Sequence, residues 1–292
     1  MSPGRLWLKR DDCTGLATGG NKARKLALVV ADALASASDV LVTGGGLQSN
    51  HARMTAAAAA ASGLACVLVF NAESPPSPEG NQLLNRVFGA EHRYLGPMPL
   101  DDLDAAIVAV ADELRASGRR PFAIPVGGSS PLGASAYTDA ADEIVEQLGH
   151  EDVLVVTATG SGGTQAGLAA RLGHARVLGV DVGALSDPAA AVRGLALEVA
   201  ALRRLPPPTG DPWLVRDQIG AGYGAPTDAA RDAIRLVART EGVVLDPVYS
   251  GKAFAGLMRL EAAALRAGAV VFLATGGAPV IFTERFAGWL AE

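Results

Sequence analysis

Lys22 stands at the start of a predicted helix, directly after a run of small residues that includes two glycines. The stretch from position 15 is GLATGGNKARKL. Two interpretations are open: a loop followed by a basic first turn, or a lysine placed for its amine where a bulky group must approach the backbone. The second interpretation makes Lys22 a candidate catalytic residue, because a lysine amine can bond covalently to a ligand or act as a base.

A second candidate site is the glycine-rich stretch TATGSGGTQAG, which follows a predicted strand and opens a helix. Gly160, Gly162 and Gly163 let the backbone approach an anion, and a helix start adds unpaired N–H groups. Ser161 and Thr164 add hydroxyl donors. No lysine of a nucleoside-triphosphate loop follows, and the glycine spacing does not fit a dinucleotide fingerprint. The interpretations left are a cradle for one phosphate monoester and a simple tight turn.

A third candidate is TGGGLQSNHAR, at positions 43–53, again at the end of a predicted strand. It places Gln48, Ser49, Asn50 and His51 in a row before an alanine-rich helix. Ser49 and Asn50 are good helix N-caps, but four polar side chains beside three glycines also fit a binding site. Both interpretations stay open. His51 has no partner at ligand spacing, so the pattern predicts no metal site.

Two tyrosines complete the candidate residues. Tyr249 lies in LDPVYSGKA, in a loop entering a helix, where a half-buried tyrosine with a satisfied hydroxyl is the simplest interpretation. Tyr223 lies in GAGYGAP, and its glycine neighbours favour a contact from a lid over a core position.

Short apolar stretches alternate with helical patterns along the chain. The helix from Lys22 is predicted to bury Leu26, Val29, Val30, Ala33 and Leu34 on one face. Strand, glycine cluster and helix in repetition are typical of parallel sheets covered by helices, with ligands at the carboxyl ends of the strands. The predicted strands start at Val40, Leu64, Pro121, Val153, Arg176 and Ala269.

Composition narrows the class of protein. The chain has 292 residues, 49% of them hydrophobic, and a net charge of −5. There is no basic run, so we predict no nucleic-acid partner, and no apolar stretch predicts a membrane span. Cys13 and Cys66 form no CxxC pair, which favours a reducing compartment and a cytoplasmic location. The first residues also lack the apolar core of a signal peptide.

Six blocks in this order resemble the D-cysteine desulfhydrase and 1-aminocyclopropane-1-carboxylate (ACC) deaminase family, from about Leu6 to about Phe282. They are KRDDCTGLATGGNKARKL, GGGLQSNHAR, TGSGGT, GAGYGAPT, DPVYSGKA and TGGAP. The resemblance implies a pyridoxal phosphate (PLP) enzyme and a homodimer. It also implies an α/β fold of two interleaved, open, twisted and mostly parallel sheets covered by helices, as in the tryptophan-synthase β-like fold (fold type II). The expected domains are 1–38 with 127–292, and 39–126.

The resemblance also assigns roles. Lys22 would bind PLP covalently and later act as a base, assisted by Ser49 or a tyrosine. Ser49, Asn50 and His51 would form the substrate-carboxylate pocket, with Tyr223 reaching in from the other side. Ser250 and Thr275 would lie near the ring nitrogen, where a hydroxyl leaves the ring neutral and a weaker electron sink. The cofactor-binding residues implied are Lys22, Lys25, Asn50, Thr159, Gly160, Ser161, Gly162, Gly163, Thr164, Tyr249, Ser250 and Thr275, and the catalytic ones are Lys22, Ser49, Tyr223 and Tyr249.

One position discriminates within the family. ACC deaminases resemble DPVYEGK, whereas this chain has Ser250 in DPVYSGK, which favours the desulfhydrase-like members. The expected reaction is β-elimination from a small amino acid, D-cysteine, to pyruvate, ammonia and sulfide. The alternatives are ACC deaminase, a lyase for cysteate or another β-substituted amino acid, a racemase-like activity, and a PLP-binding protein without catalysis.

Overall fold

Two parallel β-sheets organise the chain. The computed structural model describes residues 6–260 and 267–291, and in these ranges it contains nine strands and ten α-helices. One sheet has the strand order β1-β9-β6-β7-β8 and the other β4-β3-β2-β5, and all their pairings are parallel. The strands are β1 (Leu6–Arg10), β2 (Val40–Gly45), β3 (Ala65–Phe70), β4 (Glu91–Tyr94), β5 (Pro121–Ala123), β6 (Val153–Thr159), β7 (Val177–Asp181), β8 (Trp213–Val215) and β9 (Ala269–Ala274).

The chain contributes to the first sheet twice. It forms β1, builds the whole second sheet from β2 to β5, and returns to the first sheet at β6. In the register, Leu6 lies opposite Val270, and Val40 lies between Ala65 and Pro121. The predicted interleaving of two sheets is therefore confirmed, while the exact limits of the two domains stay a prediction.

Helices cover both sheets. Several begin and end with the expected capping residues: the Ser130 hydroxyl accepts from the Gly133 N–H at the start of α5, and Gly149 ends that helix in the left-handed conformation. The helices are α1 (Lys22–Ala35), α2 (Asn50–Ala61), α3 (Gly80–Val87), α4 (Leu103–Ala116), α5 (Pro131–Leu148), α6 (Gly163–Leu172), α7 (Pro188–Arg203), α8 (Asp228–Glu241), α9 (Ser250–Met258) and α10 (Glu284–Ala291). None of these helices has the length and hydropathy of a membrane span.

Small residues bring the helices close together, as the composition predicts. A Cβ at Gly167 on α6 would lie 2.1 Å from the carbonyl oxygen of Ala134 on α5, so only glycine fits this contact. The alanine run on α2 is helical, and Ala56 to Ala59 are buried there against the second sheet. The core is therefore built mainly from closely packed backbones and small side chains, and less from large aromatic side chains.

The predicted strands are confirmed, but three short strands and one surface residue differ from the prediction. The sequence did not indicate β1, β4 and β8, whose residues are mostly half-buried at or near sheet edges. Leu34 was expected in the buried face of α1 and is instead 48% exposed, because the buried stripe at this end of the helix runs through Ala33.

Candidate active site

A cleft lies where the carboxyl ends of strands from both sheets meet. It is partly open to solvent. Residues that follow β2, β6 and β9 line it, as the strand–glycine–helix pattern predicts. The predicted site residues in its wall are Lys22, Ser49, Asn50, His51, Gly160, Ser161, Gly162, Gly163, Thr164, Tyr223, Tyr249 and Thr275.

Lys22 is the first residue of α1, and its side chain lies in the wall of the cleft. Its Nζ donates to Asn21 Oδ1 at 3.0 Å, and Asn21 Nδ2 donates to Thr164 Oγ1 at 3.0 Å. One amide therefore links the lysine to the start of α6. Burial lowers the pKa of Lys22 to about 8; the Arg53 cation lowers it further, and Asp246 opposes the shift. At pH 7 the amine is thus neutral in about a tenth of molecules, far more than for a lysine at its ordinary pKa.

The two glycines before Lys22 are required by the backbone. Gly19 has φ +78°, and a Cβ there would lie 1.8 Å from the carbonyl oxygen of Asp12. The turn packs directly on the end of β9, where the Asn21 N–H donates to the Thr275 carbonyl at 3.0 Å. The glycines therefore allow the start of α1 to dock against the larger sheet and bring Lys22 to the cleft.

The Gly160–Thr164 turn has the features of an anion site. Gly162, with φ +80°, precedes α6 and offers no side-chain cap, so the first N–H groups of the helix are left for another acceptor. The Ser161 hydroxyl lies 2.8 Å from Ser129 Oγ. A Cβ at Gly163 would lie 2.6 Å from Lys25 Nζ, which places that amine directly behind the turn.

The start of α2 serves both as a cap and as part of the cleft. Ser49 Oγ accepts from the Ala52 N–H at 3.1 Å, so the helix-cap interpretation is correct, and Ser49 also lines the cleft. Asn50 Oδ1 accepts from Arg53 Nη1 at 3.0 Å and from Asn81 Nδ2 at 2.9 Å. Its Nδ2 remains as the donor.

His51 is buried and neutral. Thr43 Oγ1 donates to the Ile124 carbonyl at 2.8 Å and lies 2.9 Å from His51 Nε2. Because the hydroxyl has one proton, Nε2 must be the donor in that contact, which leaves a lone pair on Nδ1. Burial, followed by the charges of Lys22 and Lys25, lowers the pKa of His51 well below its ordinary value. The ring thus offers an acceptor, so this geometry gives no donor for the carboxylate role predicted for His51.

Tyr223 and Tyr249 form a pair at the cleft. Their hydroxyls hydrogen-bond to each other, and their rings meet edge to face with centroids 6.1 Å apart. Burial raises the pKa of both phenols, and the Asp246 carboxylate raises both further. Both hydroxyls are therefore protonated near neutral pH. Tyr249 also packs on the glycine turn, since a Cβ at Gly160 would lie 3.2 Å from its ring.

Three predicted cofactor residues do not line the cleft. Thr159 Oγ1 donates to Gln165 Oε1 at 2.7 Å, and Ser250 Oγ donates to Asp246 Oδ1 at 2.6 Å. Both hydroxyl protons are used within the protein. Of the two residues expected near the ring nitrogen, Ser250 and Thr275, only Thr275 lines the cleft. Lys25 donates to the Gly127 carbonyl at 3.1 Å from behind the turn.

Four polar residues in or next to the cleft were not predicted from the sequence: Asn21, which lines it, and Arg53, Asn81 and Asp246. Asp246 is buried, and it accepts from the N–H groups of Val248, Tyr249 and Ser250 at the start of α9. Asn21 next to Lys22 and the aspartate of DPVYS could have been found as polar residues inside the motifs. Arg53 likewise ends the motif TGGGLQSNHAR, but its contacts with Gly19 and Asn81 come from distant segments, and Asn81 lies in none of the motifs.

The fold and this cleft define a pyridoxal-phosphate dependent enzyme, and residues 2–276 match the model of that family. The chain belongs to the pyridoxal-phosphate dependent enzyme family. It is 42% identical to D-cysteine desulfhydrases of Salmonella typhi and Salmonella paratyphi A, over 295 and 299 residues. These matches cover 95% and 96% of this chain and 88% and 89% of the relatives.

Solved structures agree with this assignment. A crystal structure of an ACC deaminase homologue superposes with a TM-score of 0.89 at 36% identity, covering 98% of this chain and 88% of that one. A crystal structure of T.th. threonine deaminase superposes with a TM-score of 0.64 at 21% identity, covering 94% of this chain and 87% of that one. The second match supports the fold alone.

The cleft fits pyridoxal phosphate on its own contacts. An uncapped helix start and the Gly160–Gly163 backbone suit the phosphate group, and the Lys22 amine suits the aldehyde. The Asn50 amide, with its oxygen already bonded twice, presents a donor suited to the ring's phenolic oxygen. Among residues 6–260 and 267–291, no group of three or more His, Cys, Asp or Glu side chains could hold a metal ion.

Proposed function

We propose that this protein is a PLP-dependent lyase that carries out β-elimination on D-cysteine, giving pyruvate, ammonia and sulfide. The observation that supports it most is the Lys22 amine in the cleft wall, joined through Asn21 to the helix start that suits the phosphate. The identity to the Salmonella D-cysteine desulfhydrases supports the choice of substrate.

Each of the four predicted catalytic residues has a role in this proposal. When bound, PLP supplies an electron sink for negative charge at the substrate α-carbon. Lys22 holds the cofactor, and its freed Nζ accepts the α-proton. Ser49 and the N-terminus of α2 bind the substrate carboxylate. The protonated hydroxyls of Tyr223 and Tyr249 are placed to give or relay a proton during departure of the β-substituent.

The side chains near the cleft favour elimination. Among the described residues that line it there is no carboxylate, and Thr275 is the hydroxyl proposed for the ring nitrogen. A hydroxyl there leaves the ring neutral, which limits its strength as an electron sink. This suits a reaction in which the leaving group departs quickly.

ACC deaminase activity is a second candidate, because an ACC deaminase homologue has nearly the same fold. Ser250 argues against it, since the deaminase-like motif has a glutamate there. In this chain Ser250 bonds to Asp246 and is 1% exposed, so a direct role toward substrate has little structural support.

The test uses the purified holoprotein. We expect a yellow protein whose visible band borohydride removes, leaving a PLP adduct on the peptide that contains Lys22. Lys22→Ala should abolish the band and the activity, whereas Lys9→Ala, whose amine binds Glu143 at 2.7 Å, should keep both. A colourless wild type would refute PLP binding.

A panel of D- and L-cysteine, D- and L-serine, cysteate and ACC then defines the substrate. Pyruvate with sulfide from D-cysteine at the highest kcat/KM is the expected result. 2-Oxobutyrate from ACC would instead favour the second candidate, and a yellow protein that forms no keto acid would favour a non-catalytic role.

We also propose a cytoplasmic homodimer. The resemblance to the family supports the dimer, and the cysteine usage supports the location. Light scattering of the purified protein and localisation of a tagged chain test these two points separately.

A further inference from the structure

Arg53 is a buried cation next to the proposed active site. Its side chain is 0% exposed and heads the described fully buried side chains by volume. Among the residues that the structure describes, no carboxylate forms an ion pair with it, although Asp246 attracts it at longer range. Removing a charge from water without a paired counter-ion is costly, so a residue in this position calls for a functional explanation.

The guanidinium hydrogen bonds of Arg53 all reach parts of the site. Nη1 donates to Asn50 Oδ1 and to Asn81 Oδ1, both at 3.0 Å, and Nη2 donates to the Gly19 carbonyl at 2.9 Å. Asn50 is in the cleft wall, and Gly19 is in the turn that leads into Lys22. One planar group thus joins the start of α2 to the start of α1.

Asn81 completes the arrangement from α3. Its Nδ2 donates to Asn50 Oδ1 at 2.9 Å and to the Gln48 carbonyl at 2.8 Å. An amide oxygen has two lone pairs, and Arg53 and Asn81 use both of those on Asn50. The Asn50 amide is therefore held in one of its two possible orientations, with the N–H₂ group free of these contacts. A Cβ at Gly277 would lie 2.7 Å from that Nδ2, which fixes its direction.

We propose that Arg53 is a positioning residue that holds the Asn50 amide with its N–H₂ group toward the cofactor and holds the turn that carries Lys22. The inference rests on the proposed function, because the proposed partner of Asn50 is the phenolic oxygen of PLP. If the Asn50 amide were flipped, its Oδ1 would face the phenolic oxygen of PLP, and the two oxygens would repel each other.

The charge of Arg53 has a second, separable effect. Two charged groups shift the pKa of Lys22, Arg53 on α2 and Asp246 before α9, and the charge of Lys22 in turn lowers the pKa of its neighbours Lys25 and His51. The Arg53 cation favours the neutral amine of Lys22, and Asp246 favours the charged one. Loss of Arg53 should therefore move the amine toward its protonated form.

Three substitutions separate geometry from charge. Arg53→Lys keeps the charge but cannot reach Asn50, Asn81 and Gly19 with one planar fork. Arg53→Met removes both the charge and these hydrogen bonds. Asn81→Asp keeps the shape, removes the donor to Asn50 and adds a carboxylate beside Arg53. Arg115→Lys, on the exposed face of α4, is the matched control.

The experiment measures the PLP dissociation constant of each apoprotein and the pH midpoint for covalent capture of PLP, seen as growth of the visible band. We expect Arg53→Lys to weaken binding about tenfold with the midpoint unchanged. Arg53→Met should weaken binding and raise the midpoint, and Asn81→Asp should do the same to a smaller extent. Circular dichroism and thermal melts show which variants are folded.

The outcomes separate the two proposals. If the wild type binds PLP and Arg53→Lys and Asn81→Asp match it in both quantities, Arg53 is only structural and this inference is overturned while the proposed function stands. A lower melting temperature with unchanged PLP affinity overturns it equally. If Arg53→Met does not fold, the other two variants decide. A wild type that binds no PLP overturns the proposed function and this inference together.

Discussion

On the side of the cleft formed by α1 and α2, the polar groups are side chains, whereas on the side formed by the start of α6 most are backbone groups. We call the first the side-chain wall (Lys22, Ser49 and Asn50) and the second the glycine wall (Gly160–Thr164). The side-chain wall depends on buried hydrogen bonds, among them those of Arg53 to Asn50 and to the Gly19 carbonyl in the turn before Lys22. The glycine wall depends on the absence of side chains.

Substitutions in the two walls should therefore have different effects. A substitution in the side-chain wall removes a reacting group or its support, so it should change kcat or the protonation of Lys22. A substitution in the glycine wall adds a side chain that clashes with residues packed around the turn, so it should displace the backbone N–H groups and change cofactor affinity first. Four predictions follow this division, and the tyrosine pair that packs on the glycine wall is expected to show the largest effect.

Loss of either phenol hydroxyl should lower kcat by about 100-fold or more, because positioned acid–base groups contribute that much. The hydroxyls of Tyr223 and Tyr249 bond to each other, so they act as a unit. We expect the double variant Tyr223→Phe/Tyr249→Phe to be little worse than either single variant. The measurement is a double-mutant cycle on kcat for D-cysteine.

The control is the PLP affinity of the three variants, which should stay within a few-fold of the wild type. Fully additive losses of kcat would show that the two hydroxyls act independently. A large loss of PLP affinity instead would assign the pair to the glycine wall.

Gly163→Ala tests the glycine wall directly. A Cβ at Gly163 would lie 2.5 Å from Ser129 Oγ and 2.6 Å from Lys25 Nζ, so both polar groups must shift behind the turn. We expect PLP to bind about tenfold more weakly, a loss of about 1.4 kcal/mol, which lies within the usual cost of overpacking of about 1–3 kcal/mol. In the saturated enzyme kcat should fall much less.

Gly194→Ala is the matched control. Gly194 is inside α7, and a Cβ there would meet no atom within 4 Å. The control should keep wild-type affinity and gain up to about 1 kcal/mol of stability, since alanine is the better helix former. Equal PLP affinity in Gly163→Ala and Gly194→Ala would show that the glycine wall does not determine cofactor binding.

Lys252→Met tests how Tyr223 is held at the cleft. Lys252 is buried on α9, and its Nζ donates to the carbonyls of Ile219 at 2.7 Å and Gly222 at 3.4 Å. These residues belong to the loop that carries Tyr223. Methionine keeps the length but leaves both carbonyls without this donor, so we expect a more mobile loop and a KM raised several-fold, about 1–2 kcal/mol.

Hydrogen exchange of residues 219–224 should accelerate in Lys252→Met. Lys252→Arg keeps a cation and should recover part of the loss. Wild-type KM together with wild-type exchange in Lys252→Met would show that the loop is held by other contacts.

The two walls also differ in how far the sequence predicts them. The glycine wall is a contiguous motif after a strand, so Gly160 to Thr164 could be predicted as a unit. In the side-chain wall, Lys22, Ser49 and Asn50 could be predicted from their motifs, but the buried residues that hold them could not. Arg53 was not found because two of its three partners, Gly19 and Asn81, are far apart in the chain and meet it only after folding.

Similar reasoning explains other differences from the sequence prediction. The strands with continuous apolar stretches were predicted because burial on both faces leaves a clear pattern. The short strands β4 and β8 lie at sheet edges and carry little of it. Ser250 was assigned to the ring nitrogen from its motif, whereas the competing bond to Asp246 is visible only in three dimensions.

The smallest predicted effect lies behind the side-chain wall, where Arg24 on α1 binds Glu143 on α5 at 2.7 Å. This bond, with help from Lys9, lowers the pKa of Glu143 from 4.5 to about 2. A carboxylate whose pKa falls on folding contributes stability above pH 4.5, and that stability is lost as the pH falls toward 2. Because the Glu143 side chain is 41% exposed, solvent screening limits the contribution to about 1 kcal/mol or less.

Glu143→Gln should therefore melt about 1–3 °C below the wild type at pH 7, and the gap should close as the pH approaches 2. Glu146→Gln, exposed on the same helix, is the control. A gap that persists unchanged at low pH would show that packing around residue 143, and not its charge, supports the outer face of α1.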